Sequence, residues 1–195
     1  MIMRTSSLSR QTTETDISIQ LNLDGSNNTN ISTGIPFFDH MLTALAFYAN
    51  WDINLTAKGD LTIDDHHTVE DIGIVLGTVF RQALGSKTGI TRFADTFTPM
   101  DEALVQVVID ISNRPYLAFI SPFKREQIGG LSLENIKEFL YAFVMEARIT
   151  LHINVSRGTN DHHIAEAIFK GLGRTLYQAS VLSRDILPST KGVLE

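Results

Sequence analysis

A twenty-residue segment of this chain occurs in two related copies. Residues 65–84 align with 161–180 without a gap, at a shift of 96. Nine of the twenty pairs are identical: Asp65/Asp161, His66/His162, His67/His163, Glu70/Glu166, Ile72/Ile168, Leu76/Leu172, Gly77/Gly173, Gln82/Gln178 and Ala83/Ala179. In both copies a helix-like stretch and then a strand-like stretch precede the match. Such a repeat narrows the fold to two copies of one α+β unit. Each unit is expected to be a small, mostly antiparallel sheet with helices on one face. The repeats cover about 1–90 and 91–195. No Pro/Gly linker divides them, so residues 1–195 are expected to form one domain.

Hydrophobic periodicity places the elements. Thr12 to Leu23 alternates, with Ile17, Ile19, Leu21 and Leu23 apolar, and predicts a half-buried strand. Asp24 to Asn28 reads as a turn and Thr29 to Thr33 as a short strand. Pro36 to Ala49 predicts a helix, Ile53 to Leu61 a strand, and the stretch after Asp64-Asp65 a helix to Leu84. In the second half, Glu102 to Ser112, Tyr116 to Ile120 and Ile149 to Val155 predict strands. Leu133 to Ala147 and Asp161 to about Leu182 predict helices, and Pro188 to Gly192 a loop.

Composition excludes several function classes. Cysteine is absent, so disulfides and thiolate–metal sites are ruled out. The net charge is −6 with no long basic run, which argues against nucleic-acid binding. Charged residues make up 19% and hydrophobic ones 43%, a globular balance rather than a disordered one. No stretch of 18 apolar residues occurs and Met1 to Arg10 has no apolar signal core, so no membrane association is expected and a cytoplasmic protein is.

Four of the six histidines belong to two copies of His-His-x-x-Glu: His66-His67 with Glu70, and His162-His163 with Glu166. Residues four apart share a helix face, so His66 and Glu70 can grip one ion, as can His162 and Glu166. His67 and His163 sit about 100 degrees further round and aim at a different ion. Two copies can therefore cross-supply two metals, with His40 and His152 completing the shells. The expected division is His66, Glu70, His152 and His163 around one ion, and His40, His67, His162 and Glu166 around the other. Three histidines and one carboxylate suit a divalent ion with positions left for substrate. The order differs from the His-Glu-x-x-His of metalloproteases, so peptide hydrolysis is not implied.

These motifs, together with Gly34-Ile35-Pro36-Phe37-Phe38-Asp39-His40-Met41-Leu42, Pro99-Met100-Asp101-Glu102-Ala103-Leu104 and Pro188-Ser189-Thr190-Lys191-Gly192, resemble the imidazoleglycerol-phosphate dehydratase family. The resemblance runs from about Thr13 to Leu194. It implies two units like the second domain of ribosomal protein S5. It also implies two Mn2+ ions per active site, although other divalent ions suit these donors, and a homo-oligomer of 24 subunits with sites at subunit interfaces. The implied reaction is dehydration of D-erythro-imidazoleglycerol phosphate to imidazoleacetol phosphate, a step of histidine biosynthesis. The C–H to be broken is not activated by a carbonyl, so the electrons that expel the hydroxyl must come from the ring, polarised through its nitrogens. By resemblance Glu166 takes the carbon-bound proton while also serving as a ligand, and Glu14 handles a ring or hydroxyl proton. Arg92, Arg114, Lys170, Ser189 and Lys191 match the family's phosphate site.

The chain departs from the family pattern in places. Asn113 replaces a Gly before Arg-Pro, and Glu138 to Tyr141 lacks paired phenylalanines. Gly171 and Gly173 replace alanines on the second motif helix, where glycine is expected to cost stability. Two other functions are weighed. A two-metal phosphate-ester hydrolase would use several bridging aspartates, and this set is dominated by histidine. A non-catalytic metal-binding assembly would have no use for the anion-binding residues.

Overall fold

The computed structural model describes residues 3–194. Met1, Ile2 and Glu195, the ends of the expected 1–195 span, lie outside the described residues. The first half runs β1 (Thr5–Gln11), β2 (Thr15–Asn22), β3 (Thr29–Ser32), α1 (Pro36–Tyr48), β4 (Asp52–Gly59) and α2 (His66–Leu84). The second half repeats this order: β5 (Phe93–Met100), β6 (Ala103–Asp110), β7 (Tyr116–Phe119), α3 (Asn135–Ala147), β10 (Thr150–Arg157) and α4 (Asp161–Ser180). A two-stranded ribbon, β8 (Gln127–Ile128) and β9 (Leu131–Ser132), is inserted before α3.

The two sheets share one topology. The first is ordered β1-β2-β4-β3 and the second β5-β6-β10-β7. In each, three strands pair antiparallel and the fourth pairs parallel, because a helix carries the chain across from β3 to β4 and from β7 to β10. The duplication read from twenty residues thus extends over the whole unit, in the mixed α+β architecture expected.

Alternation drives the layering. Ile17, Ile19 and Leu21 of β2, Leu55 of β4, Val105, Val107 and Ile109 of β6 and Leu151 of β10 are all buried and line the inner sheet faces. α2 lies on the first sheet and α4 on the second, and the halves meet helix to helix, α2 on α3 and α1 on α4. Phe38, Phe139 and Phe169 close this junction, with Phe139 stacked on Phe169 at 5.6 Å and edge-on to Phe38 at 5.3 Å. The single Phe139 therefore fills the place where paired phenylalanines were missed.

The glycines of the motif helices correct a sequence expectation. A Cβ on Gly173 would stand 2.3 Å from the Leu45 carbonyl oxygen of α1, and one on its repeat partner Gly77 would stand 2.5 Å from the Phe143 oxygen of α3. On Gly171 it would lie 2.9 Å from Val107 Cγ2. Glycine is weak in an isolated helix, but here it is what lets the helices cross closely.

Two edge strands were not visible in the sequence. β1 has a single large apolar residue, Leu8, facing the core, and β5 turns Thr96 and Thr98 inward while Phe93 and Phe97 point to solvent. Both defeat an apolar-in, polar-out reading. The first predicted strand also begins later, at Thr15: Thr12 to Glu14 form the β1–β2 turn, closed by Thr12 and Thr15 backbone and hydroxyl bonds. No helix among the described residues is long and apolar enough to cross a membrane.

Candidate metal centre and anion site

Both motifs open a helix. Asp65 and Asp161, which begin the two copies, are buried anchors rather than ligands. Asp65 accepts from the backbone N–H and hydroxyl of Ser132, both at 2.7 Å. Asp161 accepts from the N–H groups of Lys124 and Arg125 at 3.0 and 2.7 Å. Each fixes a loop from the second half against a helix start, and Asn160 caps α4 by accepting from His162 N–H.

At the start of α4, His162 Nε2 lies 3.3 Å from Glu166 Oε2, one turn on along the same face. His40, from the first turns of α1, brings its Nε2 to 3.8 Å from the same oxygen. Ligand atoms of the three lie within 4.8 Å of one another. Donors each 2.0–2.2 Å from one ion can stand at most about 4.4 Å apart, so small side-chain adjustments bring all three onto a single ion. Phe37 sits edge-on against His162 at 5.0 Å and holds its ring. Glu166 is buried, which by itself would raise its carboxyl. That effect is outweighed by the hydrogen bond from Lys170 Nζ at 2.8 Å and by the charges of Lys170, His40 and His162, so its pKa falls below the ordinary value. It is a carboxylate at neutral pH.

The first motif is built alike but holds fewer donors. His66 Nε2 lies 3.7 Å from Glu70 Oε2, and its Nδ1 is 3.1 Å from Asn135 Oδ1. His67 Nδ1 meets Asp60 Oδ2 at 3.0 Å, with Glu14 Oε2 at 3.9 Å. His163 Nδ1 meets Glu102 Oε2 at 2.7 Å, and its Nε2 lies 3.8 Å from Asp101 Oδ2. The hydrogen bonds to Asp60 and Glu102 raise the pKa of His67 and His163 respectively. Glu102, held by His163 and by the N–H groups of Asn160 and Thr159, is lowered to about 2.

Within one chain the two expected four-ligand shells are not assembled. His40, His162 and Glu166 meet, but His67 stands instead with Asp60 and Glu14. His66 and Glu70 pair, but His163 is with Glu102. His152 lies on the outer face of the second sheet, beside Tyr116 at 5.8 Å and across β10 from the helices.

The expected phosphate residues fall into two groups. Arg92 donates to Asp110 at 2.7 and 3.2 Å and to the Pro188 carbonyl at 2.8 Å, tying the Ser189–Lys191 loop to the start of β5. Arg114 donates to the same Asp110 at 3.2 Å. Ser189 holds its own loop, donating to Val193 O at 2.6 Å and accepting from Lys191 N–H at 3.2 Å. Lys170 is not with them. Arg92 N–H bonds Ala179 O near the end of α4, and Lys170 lies nine residues earlier, about 13 Å along the axis.

Residues 33–176 match the sequence model described as imidazoleglycerol-phosphate dehydratase. The chain belongs to that family. The dehydratase of Caldicellulosiruptor bescii is 52% identical over 194 residues, covering 100% of both chains. That of Gluconobacter oxydans is 54% identical over 190 residues, covering 96% of each. Crystal structures of imidazoleglycerol-phosphate dehydratase are similar too. The Pyrococcus furiosus protein has a TM-score of 0.81 at 40% identity, covering 96% of this chain and 100% of its own. The Staphylococcus aureus protein has a TM-score of 0.79 at 40% identity, covering 91% and 98%.

Two features of this dehydratase chain explain its departures and omissions. Asn113 adopts φ 65°, a left-handed conformation that favours glycine and that Asn tolerates among the best of the others. Its Oδ1 also accepts from the buried Lys87 Nζ at 3.3 Å, and burial, aided by Arg81 and Arg148, lowers the Lys87 pKa. Sequence reasoning missed Asp60, Asn135, Asp110 and Glu102. Glu102 lay inside a recognised motif, next to the β5–β6 turn. The others carry no local signal, because only the fold brings them beside a histidine or arginine.

Proposed function

We propose that this chain dehydrates D-erythro-imidazoleglycerol phosphate to imidazoleacetol phosphate in histidine biosynthesis, as a metal-dependent hydro-lyase. The observation that carries this reading is the convergence of His40, His162 and Glu166 from α1 and α4. An all nitrogen-and-oxygen donor set fits Mn2+ and related divalent ions. Two ions are read per active site, the second held through the His66–Glu70 face. They would supply Lewis-acid polarisation of the substrate's ring nitrogens.

The protein's own groups do the rest. Glu166, kept ionised by Lys170, accepts the proton from the carbon next to the one losing hydroxyl. Glu14, at the β1–β2 turn facing His67, serves the ring or hydroxyl proton. The resulting enol becomes the ketone. Arg92 and Arg114, aligned by Asp110, bind phosphate with Ser189 and Lys191, using the planar guanidinium fork that matches an oxyanion.

A homo-oligomer, of 24 subunits by family resemblance, completes each site. Three donors in one chain leave the ion short of its usual coordination, and His152 and the Arg92 group stand away from that cluster. The face that carries His152 also exposes Phe93, Phe97 and Tyr116, each more than half accessible, and apolar surface of that kind suits burial against another copy. The same reading takes the repeats, about 1–90 and 91–195, as one domain in a cytoplasmic enzyme. It is supported by a core that continues across the α1–α4 and α2–α3 contacts.

The test is a product assay. Imidazoleacetol phosphate formed from imidazoleglycerol phosphate, with no turnover of generic phosphate esters, is the expected result. Release of inorganic phosphate without the ketone would favour the hydrolase, and full metal retention without any turnover would favour a non-catalytic assembly.

A further inference from the structure

The duplication supplies an internal control on the histidine partners. Glu14 immediately precedes β2 and Glu102 immediately precedes β6, so the two glutamates hold the same place in the two repeats. Each lies at a hairpin turn over the second histidine of its motif, His67 or His163. Their engagement differs. Glu102 is bonded through both oxygens: Oε2 to His163 Nδ1 at 2.7 Å, and Oε1 to the N–H groups of Thr159 and Asn160 at 3.1 and 2.8 Å and to the Thr159 hydroxyl at 3.3 Å. Glu14 stands 3.9 Å from His67 Nδ1, and its carboxylate accepts no hydrogen bond among the described residues. Asp60 has taken its place at 3.0 Å.

The repeats explain the exchange. Asp16 pairs with Lys58 across β2–β4 and Leu104 with Arg157 across β6–β10, where β10 carries a bulge, so Gly158 matches Gly59 and Thr159 matches Asp60. A Cβ on either glycine would meet the matched helix residues, Thr68 and Ile164, and the residue that follows is Asp60 in the first repeat but Thr159, which carries no carboxylate, in the second. It uses the hairpin glutamate instead. The first repeat, with Asp60 in place, has its hairpin glutamate to spare.

We propose that Asp60 and Glu102 are paired positioning residues. Each accepts the Nδ1–H of its histidine, which fixes the tautomer and turns the Nε2 lone pair of His67 and His163 outward to a metal ion. The carboxylate that this arrangement releases in the first repeat, Glu14, is the one left for proton transfer. A carboxylate accepts and cannot donate when ionised, so the proton on each ring must sit on Nδ1. Such partners both orient a ligating imidazole and raise its basicity. This inference rests on the two-ion reading above.

The experiment uses the full chain, stripped of metal and titrated with Mn2+, with free Mn2+ read by electron paramagnetic resonance. Asp60→Ala and Glu102→Ala should each weaken Mn2+ binding by about 10- to 100-fold. Asp60→Asn and Glu102→Gln should recover most of that loss, because an amide oxygen still accepts from Nδ1–H. Solid-state 15N spectra of the histidine-labelled, unsubstituted protein should show two Nδ1–H tautomers that are lost one at a time in the alanine variants. Affinities within twofold of the unsubstituted chain, in variants with an unchanged circular-dichroism spectrum, would overturn the proposal. So would Nε2–H tautomers at His67 and His163 in the unsubstituted protein, a readout independent of whether any variant folds. Absence of Mn2+ binding by the unsubstituted chain would instead defeat the two-ion reading, and the inference with it.

Discussion

Gly173 of α4 and Leu45 of α1 come together so closely that a Cβ on the glycine would stand 2.3 Å from the leucine carbonyl oxygen. The obstacle is backbone, which cannot swing aside as a side chain can. Gly173→Ala gains about 1 kcal/mol of helix propensity but forces two helices apart at a packed crossing, typically a cost of about 1–3 kcal/mol. We expect a net loss of about 1 kcal/mol, seen as a melting temperature lower by about 2–4 °C. Gly77→Ala should behave alike at the α2–α3 crossing. An unchanged or raised melting temperature for either variant would refute this account of the duplicated glycine.

Asp71 ties the β1–β2 turn to the first motif helix. It accepts from the Thr15 hydroxyl at 2.5 Å and pairs with Arg10. Its counterpart in the second repeat, Ala167, has no such duty, because Glu102 anchors that hairpin directly. Asp71→Ala should loosen the turn bearing Glu14, lowering kcat at least tenfold with little change in KM. It should also cost about 1–3 kcal/mol of stability, since it leaves a partly buried donor without its partner. Steady-state kinetics and thermal melting of the same preparation check both. A KM effect with kcat unchanged would mean that Glu14 is not positioned this way.

Arg92 makes the most contacts of the anion group. Arg92→Ala removes bidentate, charge-assisted bonding and frees Asp110 to repel phosphate. A charge-assisted hydrogen bond contributes about 1.5–3 kcal/mol, so kcat/KM should fall by about 10- to 200-fold. Arg92→Lys should rescue little, because a point charge cannot reach Asp110 and Pro188 O together. Rescue to near the unsubstituted level by lysine would contradict the guanidinium's role.

Protons and metal compete for His67 and His163. Both pKa values are raised above 6.5 by hydrogen bonds from the rings to carboxylates, so the metal-free fold favours the charged form more than the unfolded chain does. The stability this gives is fully present below pH 6.5, the unfolded value, and is lost as pH rises through the higher folded values. Metal needs the neutral ring, so its added stability runs the other way. Metal-free protein should therefore melt slightly lower at pH 8 than at pH 6, while the rise in melting temperature caused by Mn2+ should grow over the same interval. A Mn2+ effect independent of pH would count against histidine ligation.

Much of this was legible in the sequence, and the reasons differ by element. The inner strands β2, β6 and β10 announce themselves because their apolar residues alternate against a helix layer. β1 and β5 do not, since one is nearly all polar and the other faces its aromatics outward. The His162–Glu166 pairing follows from helical spacing alone, and α1 brings His40 beside it. The full shells are not met within the chain, because a carboxylate after β4 holds His67 and the outer face of the second sheet carries His152. Asp60 and Glu102 were invisible as partners because a strand end places each of them: Asp60 follows β4, seven residues before His67, and Glu102 precedes β6, 61 residues before His163.

The most direct test of the central claim is the metal content of active enzyme. Purified protein with full dehydratase activity should hold two divalent transition-metal ions per chain by elemental analysis, and His162→Asn should lose metal and activity in parallel. Full activity in material with no bound transition metal would contradict the account.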